Sequence, residues 1–278
     1  MDDLSLTQPP NSAAASPAFE LFNPDGSPDF LVLCDHAANA LPEGYGTLGL
    51  AAADFSRHIA WDIGAAGVAR RLAGLLDCPA VLARFSRLLV DLNRGEDDPT
   101  IVMKLSDGAI IPANRDVDPT RNGAEFARRI EMFHAPYHGA AEARIARARA
   151  LGVVPVILSV HSFTPYWRGH ARPWHTSLLW DRDARLVRPL LAALRAEDGL
   201  VAGDNEPYTG RLINDCMYRH GTAYGLPHVL IEIRQDLIET EEGQAVWAAR
   251  YARLLTQAAA LPGIREIRRF APGLPISP

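Results

Sequence analysis

Two rhythms of apolar and polar positions alternate along the chain. Largely apolar runs occur at 29–35 (DFLVLCD), 80–85, 154–160 (VPVILSV) and 226–233 (LPHVLIEI). Runs of that length, without polar alternation, predict strands buried on both faces of a sheet. Weaker runs at 88–92 and 176–181 predict two more. Between the strands the period changes. Ile59, Ile63, Ala66, Val68, Leu72 and Leu75 fall near helical spacing and predict a helix over 58–76. Further helices are expected over 123–150, 184–197 and 241–258. Strands alternating with helices predict an α/β domain with a mixed, mostly parallel central sheet flanked by helices.

One stretch breaks the pattern. Residues 95–122 are rich in Pro, Asp, Asn and Gly, and a long irregular segment inside a domain is often functional. No repeat and no linker divides the rest, so a single domain is expected over 19–265. The Pro/Ser/Ala-rich residues 1–18 read as a disordered leader and 266–278 as a tail.

Composition narrows the partners. The 278 residues are 48% hydrophobic, enough for one large core. Net charge is −5 and no block of Lys or Arg occurs, which argues against nucleic acid and anionic membranes. Three cysteines without a CxxC pair give neither a disulfide framework nor a cysteine-rich zinc site, and fit a reducing compartment. No apolar run reaches the roughly 18 residues of a membrane span, and the N-terminal stretch has no signal-peptide core. The expectation is a cytoplasmic protein, monomer or small homo-oligomer, acting on a small molecule.

In parallel sheets ligands gather at the carboxyl ends of the strands. Here those ends carry His36 after DFLVLCD, His161 after VPVILSV, and Glu232 in the last strand. A polar group at a buried strand end is costly unless it is paired or binds a metal. Two imidazoles and a carboxylate are common ligands of catalytic zinc, and a second carboxylate can take a proton from water. Glu232 is one of those two carboxylates. Asp62 is the best second, with Asp35 and Glu43 as rivals near His36. In FSRLLVDLNR (85–94), Arg87 can stabilise an oxyanion, and Asn93 and Arg94 can hold a substrate carboxylate. Structural alternatives exist for each: Arg87 or Arg94 can pair with Asp91, Glu96 or Asp97, and Glu232 with Arg87 or Arg234. There is no GxGxxG, no GxxxxGK[ST] and no GxSxG.

Several segments together resemble the N-formylglutamate amidohydrolase family over roughly residues 30–255. They are DHAANALPEG (35–44), HIAWDIGA (58–65), SRLLVDLNR (86–94), PYH (136–138), SVHSFTP (159–165) and LIEIRQD (230–236). The resemblance implies a hydrolase fold like that of zinc carboxypeptidases and one bound divalent ion, Zn2+. It implies hydrolysis of N-formyl-L-glutamate to glutamate and formate, the last step of a histidine-degradation route. It also implies metal ligation by His36 and His161, a base at Glu232, and substrate contacts from Arg87, Asn93, Arg94 and His138. Asn39 stands where zinc carboxypeptidases carry a ligating Glu. The order of motifs is similar instead to zinc-dependent N-acetylmuramoyl-alanine amidases, which implies Asp62 as the acidic ligand. The sequence DHAAN departs from the PHSG of better-matched formylglutamate enzymes. Hydrolysis of another N-acylamino acid or peptide-like amide is therefore the alternative, and an inactive ligand-binding homologue the non-enzymatic one.

Overall fold

The computed structural model describes residues 17–270, so most of the expected leader and tail lies outside the described residues. In chain order the elements are β1 (Phe19–Phe22), β2 (Phe30–Cys34), α1 (Ala65–Leu75) and β3 (Ala80–Ala83). A small hairpin, β4 (Leu105–Ser106) with β5 (Ala109–Ile110), precedes α2 (Gly123–Arg129) and α3 (Ala135–Ala150). Next come β6 (Val156–Phe163), a second hairpin of β7 (Tyr166–Trp167) and β8 (His170–Ala171), and β9 (Thr176–Leu179). Then follow α4 (Val187–Arg195), β10 (Ala202–Asp204), α5 (Cys216–His220), β11 (His228–Arg234) and α6 (Glu241–Ala259).

Seven strands form one sheet in the order β1-β3-β2-β6-β11-β9-β10. The four central strands β3, β2, β6 and β11 run parallel. Both flanks reverse: β1 is antiparallel to β3, and β9 is antiparallel to β11. The sheet is thus mixed and mostly parallel, as the sequence predicts. Strands β2 and β6 are buried along their whole length, which explains their largely apolar runs. Helix α4 buries Val187, Leu190, Leu191 and Leu194, one face at i, i+3, i+4, i+7 spacing. Each such side chain contributes roughly 1.5–3 kcal/mol on burial.

Four departures from the sequence reading bear on the site. The helix predicted over 58–76 starts only at Ala65. Gly64 precedes it at φ +80°, and a Cβ there would lie 2.2 Å from the Ile238 carbonyl oxygen. Only glycine fits, and its left-handed backbone separates the turn that carries Asp62 from the helix. Gly64→Ala is expected to destabilise the protein by about 1–3 kcal/mol, the usual cost of a strained backbone position, read as a lower Tm. The strand predicted at 88–92 is a turn. Leu88, Leu89, Val90 and Leu92 are buried, but Leu89 N–H bonds back to Ser86 and Asp91 N–H bonds Ile101. The long helix predicted over 123–150 is broken by one turn of π-helix over Ile130–His134. Pro136 has no N–H to donate to the Met132 carbonyl, so regular α-helix cannot run through. Finally, β1, β10 and α5 are too short to show a period, and the sequence reading has none of them.

Candidate active site

The three strands singled out by their ends are neighbours in the sheet, β2-β6-β11. His161 and Glu232 are register partners across the β6/β11 pair, so their side chains leave the same face. His36 follows β2 by two residues. The turn before α1 folds onto it: Asp62 N–H donates to the His36 carbonyl at 2.9 Å. The result is a knot of buried polar side chains at the carboxyl edge.

Asp62 Oδ2 is its centre. It lies 2.8 Å from His161 Nδ1 and 3.4 Å from His36 Nδ1. Each imidazole is held from behind by another carboxylate. His36 Nε2 is 2.7 Å from Asp91 Oδ1, and His161 Nε2 is 3.1 Å from Asp35 Oδ2. Asp35 also accepts from Tyr137 Oη at 2.6 Å and Ser159 Oγ at 3.0 Å. With Nε2–H donated to a carboxylate, each ring turns its Nδ1 toward Asp62. Carboxylates gripping the far nitrogen are the usual support of metal-ligating histidines.

Burial alone would raise the Asp35 carboxyl, but the His161 N–H and the donors around it hold it well below the ordinary range. Burial is likewise outweighed at Asp62 by His36 and His161, and at Asp91 by the Arg87 guanidinium and His36. His161 moves the other way. Burial opposes its charge, yet hydrogen bonds to Asp35 and Asp62 raise it well above its usual value.

Arg87 donates to Asp91 Oδ2 at 2.7 Å and approaches Asp62 Oδ1 at 3.6 Å. Asp62 and Asp91 thus face one guanidinium, and Asp35 adds a third buried carboxylate behind His161. Two negative charges remain uncompensated when both imidazoles are neutral, the charge of one divalent cation. The donor atoms of His36, Asp62 and His161 all lie within 4.8 Å of one another. Two nitrogens and one oxygen suit zinc or a similar ion. Charge balance, donor type and the carboxylate supports all fit such an ion.

Glu232 stands beside this group at 6% exposure, with Oε2 unpartnered. Burial, the largest influence, pushes its carboxyl up to about 7; nearby His161 pulls it down and Asp62 pushes it up. The group opens into a cavity of about 630 Å³ that His36, Asp62, Arg87, Asn93, Arg94, His161 and Glu232 help to line. Phe163, Trp167 and Tyr208 form an aromatic wall, and Arg172 lies behind it, donating to Tyr208 Oη at 3.2 Å. Ser106 and Asp107, from the irregular 95–122 stretch, also reach the lining.

Seven of the eight sequence-predicted site residues therefore meet at one cavity. His138 does not. Its ring is buried behind the cleft and stacks on His220, with Nδ1 2.8 Å from His220 Nε2. It is corrected from a substrate contact to a member of a separate cluster, because α3 presents it to α5 rather than to the cavity. Of the rival carboxylates, Asp35 grips His161 from behind, and Glu43 borders a different depression with Tyr45 and Arg128. Asn93 uses its Oδ1 to accept the Cys216 N–H, and Arg94 lies 3.6 Å from Asp98. Asp91 and Asp35 are the site members that the sequence reading assigned no such part. Asp215 is a third: it caps α5 through Tyr218 N–H and lines the cavity, its carboxyl pushed up to about 7 by burial. The signal was adjacency, since Asp35 precedes His36 and Asp91 sits inside SRLLVDLNR.

Fold and site together define an α/β protein of hydrolase type, with a buried carboxylate–imidazole cluster at the strand ends. Residues 28–239 match the N-formylglutamate amidohydrolase family, and the chain belongs to that family of amidohydrolases. None of the curated proteins matches it. Among solved structures it is similar to a gene product of Agrobacterium tumefaciens. The two share 35% identity over 88% of this chain and 96% of the other, with a TM-score of 0.83. It shares its fold with an N-formylglutamate amidohydrolase from Ralstonia eutropha, at 22% identity over 87% and 97% of the chains and a TM-score of 0.61. No helix among the described residues is long and apolar enough to cross a membrane.

Proposed function

We propose that the protein is a metal-dependent amidohydrolase that cleaves the amide of an N-acylamino acid, with N-formyl-L-glutamate as first candidate. One observation carries the reading: an unpartnered, buried Glu232 carboxylate beside the converging donors of His36, Asp62 and His161. Those three residues would hold the ion. When bound, a divalent ion supplies Lewis acidity and makes a coordinated water easier to deprotonate.

The chain's own groups do the rest. Glu232 takes a proton from the attacking water as its oxygen bonds the acyl carbon. It returns that proton to the amine nitrogen as the C–N bond breaks, leaving a carboxylic acid and a free amino acid. The Arg87 guanidinium, fixed by Asp91, supports the developing oxyanion. Arg94 and Asn93 orient the carboxylate of the substrate's amino-acid half. Asp35 and Asp91 hold the two rings in the tautomer that exposes Nδ1. Asp91→Asn is expected to weaken metal affinity by about 10–100-fold, measured by competition with a chromophoric chelator.

The aromatic wall favours a second reading. Formylglutamate has two carboxylates and little apolar surface, whereas Phe163, Trp167 and Tyr208 offer an apolar face. That face suits an N-acylamino acid with a larger apolar acyl group or side chain. Comparing kcat/KM for N-formyl-L-glutamate with a series of N-formyl and N-acetyl amino acids separates the two. A preference for acidic side chains supports the first, and a rise with apolar surface supports the second. Absence of turnover across the series contradicts both.

A further inference from the structure

A second group of chemistry-bearing side chains lies outside the cleft. The sequence supplies them as two pairs, His134/His138 in HAPYH and Cys216/His220 in CMYRH. Residues four apart lie on one face of a helix, so each pair points one way. His138 on α3 meets His220 on α5, with ring centroids 5.1 Å apart. Cys216 completes the group: the donor atoms of His138, Cys216 and His220 all lie within 4.8 Å of one another, and all three residues are buried. The His134 ring lies 4.3 Å from that of His138.

These imidazoles are under-satisfied. His134 donates Nε2–H to the Arg94 carbonyl at 3.0 Å, which leaves its Nδ1 with a lone pair and no partner. The His138–His220 bond uses one nitrogen of each ring, and His138 Nε2 and His220 Nδ1 have none. Buried polar atoms without partners are rare in native proteins, and a cluster of three calls for a ligand. The chemistry points to which. Burial keeps His138 and His220 neutral, the state in which imidazole ligates, with His220 pushed down to about 4. Burial above all, then the charge and hydrogen bond of Asp35 and the charge of Asp215, push the Cys216 thiol up; the same carboxylates attract a cation.

We infer that His138, Cys216 and His220 bind a second divalent cation of the zinc class. Nitrogen and sulfur donors closed off from solvent are the pattern of structural zinc sites. Binding converts the Cys216 thiol to a thiolate and releases one proton to solvent. The site would tie α3 to α5 behind the cleft. It shares no ligand with His36, Asp62 or His161, and its test does not depend on the proposed activity.

The test uses the full chain produced in cobalt-supplemented medium. Only a site with a thiolate ligand gives the near-ultraviolet sulfur-to-cobalt charge-transfer absorption, and the cleft donors include no sulfur. The expected result is that absorption with two cobalt equivalents per chain. Cys216→Ala should abolish the absorption and leave one equivalent. Asp62→Asn should lose the other equivalent and keep the absorption. If Cys216→Ala does not fold, the Cys34→Ala/Cys78→Ala double variant leaves Cys216 as the sole thiol and should retain the band. Cobalt-loaded protein without the absorption, or an absorption that survives Cys216→Ala, overturns the site. So does its loss in the double variant.

Discussion

Glu232→Gln is expected to leave the fold and the metal content unchanged and to lower kcat by about 10²–10⁴-fold, the range of a lost general acid–base. The substitution is nearly isosteric and replaces a proton-accepting carboxylate with a neutral amide that cannot serve as a base. Glu232 is suited to that part by position. It sits across from His161 in the sheet, is buried, and has one oxygen with no partner among the described residues. Burial lifts its carboxyl to about 7, and a bound cation would lower it from there. The base works deprotonated, so kcat/KM should rise with pH along an acid limb at or below about 7. Glu232→Gln should erase that limb. A variant with wild-type kcat and an unchanged limb would remove Glu232 from the chemistry.

Asp62→Asn is expected to have the larger effect on metal. Asp62 Oδ2 faces both Nδ1 nitrogens. Replacing it removes the anionic donor and one of the two negative charges left over after Arg87 that would balance a divalent ion. Metal affinity should fall by more than the roughly 10–100-fold expected for a supporting carboxylate such as Asp91. Hydrolysis should fall with it and recover only at high added metal. Equilibrium dialysis with metal quantification gives the order of the two variants. If Asp91→Asn loses more metal than Asp62→Asn, Asp91 is the ligand and Asp62 the support. The metal-free protein adds a sign to the pH dependence. Hydrogen bonds to Asp35 and Asp62 raise His161 well above its usual value against the pull of burial, so metal binding competes with its proton. Affinity should therefore drop as pH falls.

Much of this was legible in the sequence because buried parallel strands announce themselves. FLVLC and VPVILSV can hardly be anything but central strands, and their ends locate His36 and His161. Asp62 was legible by its place in HIAWDIGA, though for an incomplete reason. It stands in a turn that Gly64 creates, not in a helix. The apolar run 88–92 shows the limit of pattern. Burial leaves the same trace in a turn as in a strand, and only backbone partners distinguish them. Asp91 and Asp35 were harder. Nothing local says that a carboxylate 55 residues away grips His36 Nε2. His138 failed for the same reason, since its partner His220 lies 82 residues on, in a five-residue helix without a period.

The most direct test of the central claim is formate release from N-formyl-L-glutamate by the purified protein as isolated, after chelation, and after zinc is restored. Release is expected to disappear with the metal and to return with it. Release that continues undiminished in metal-stripped protein would contradict that claim.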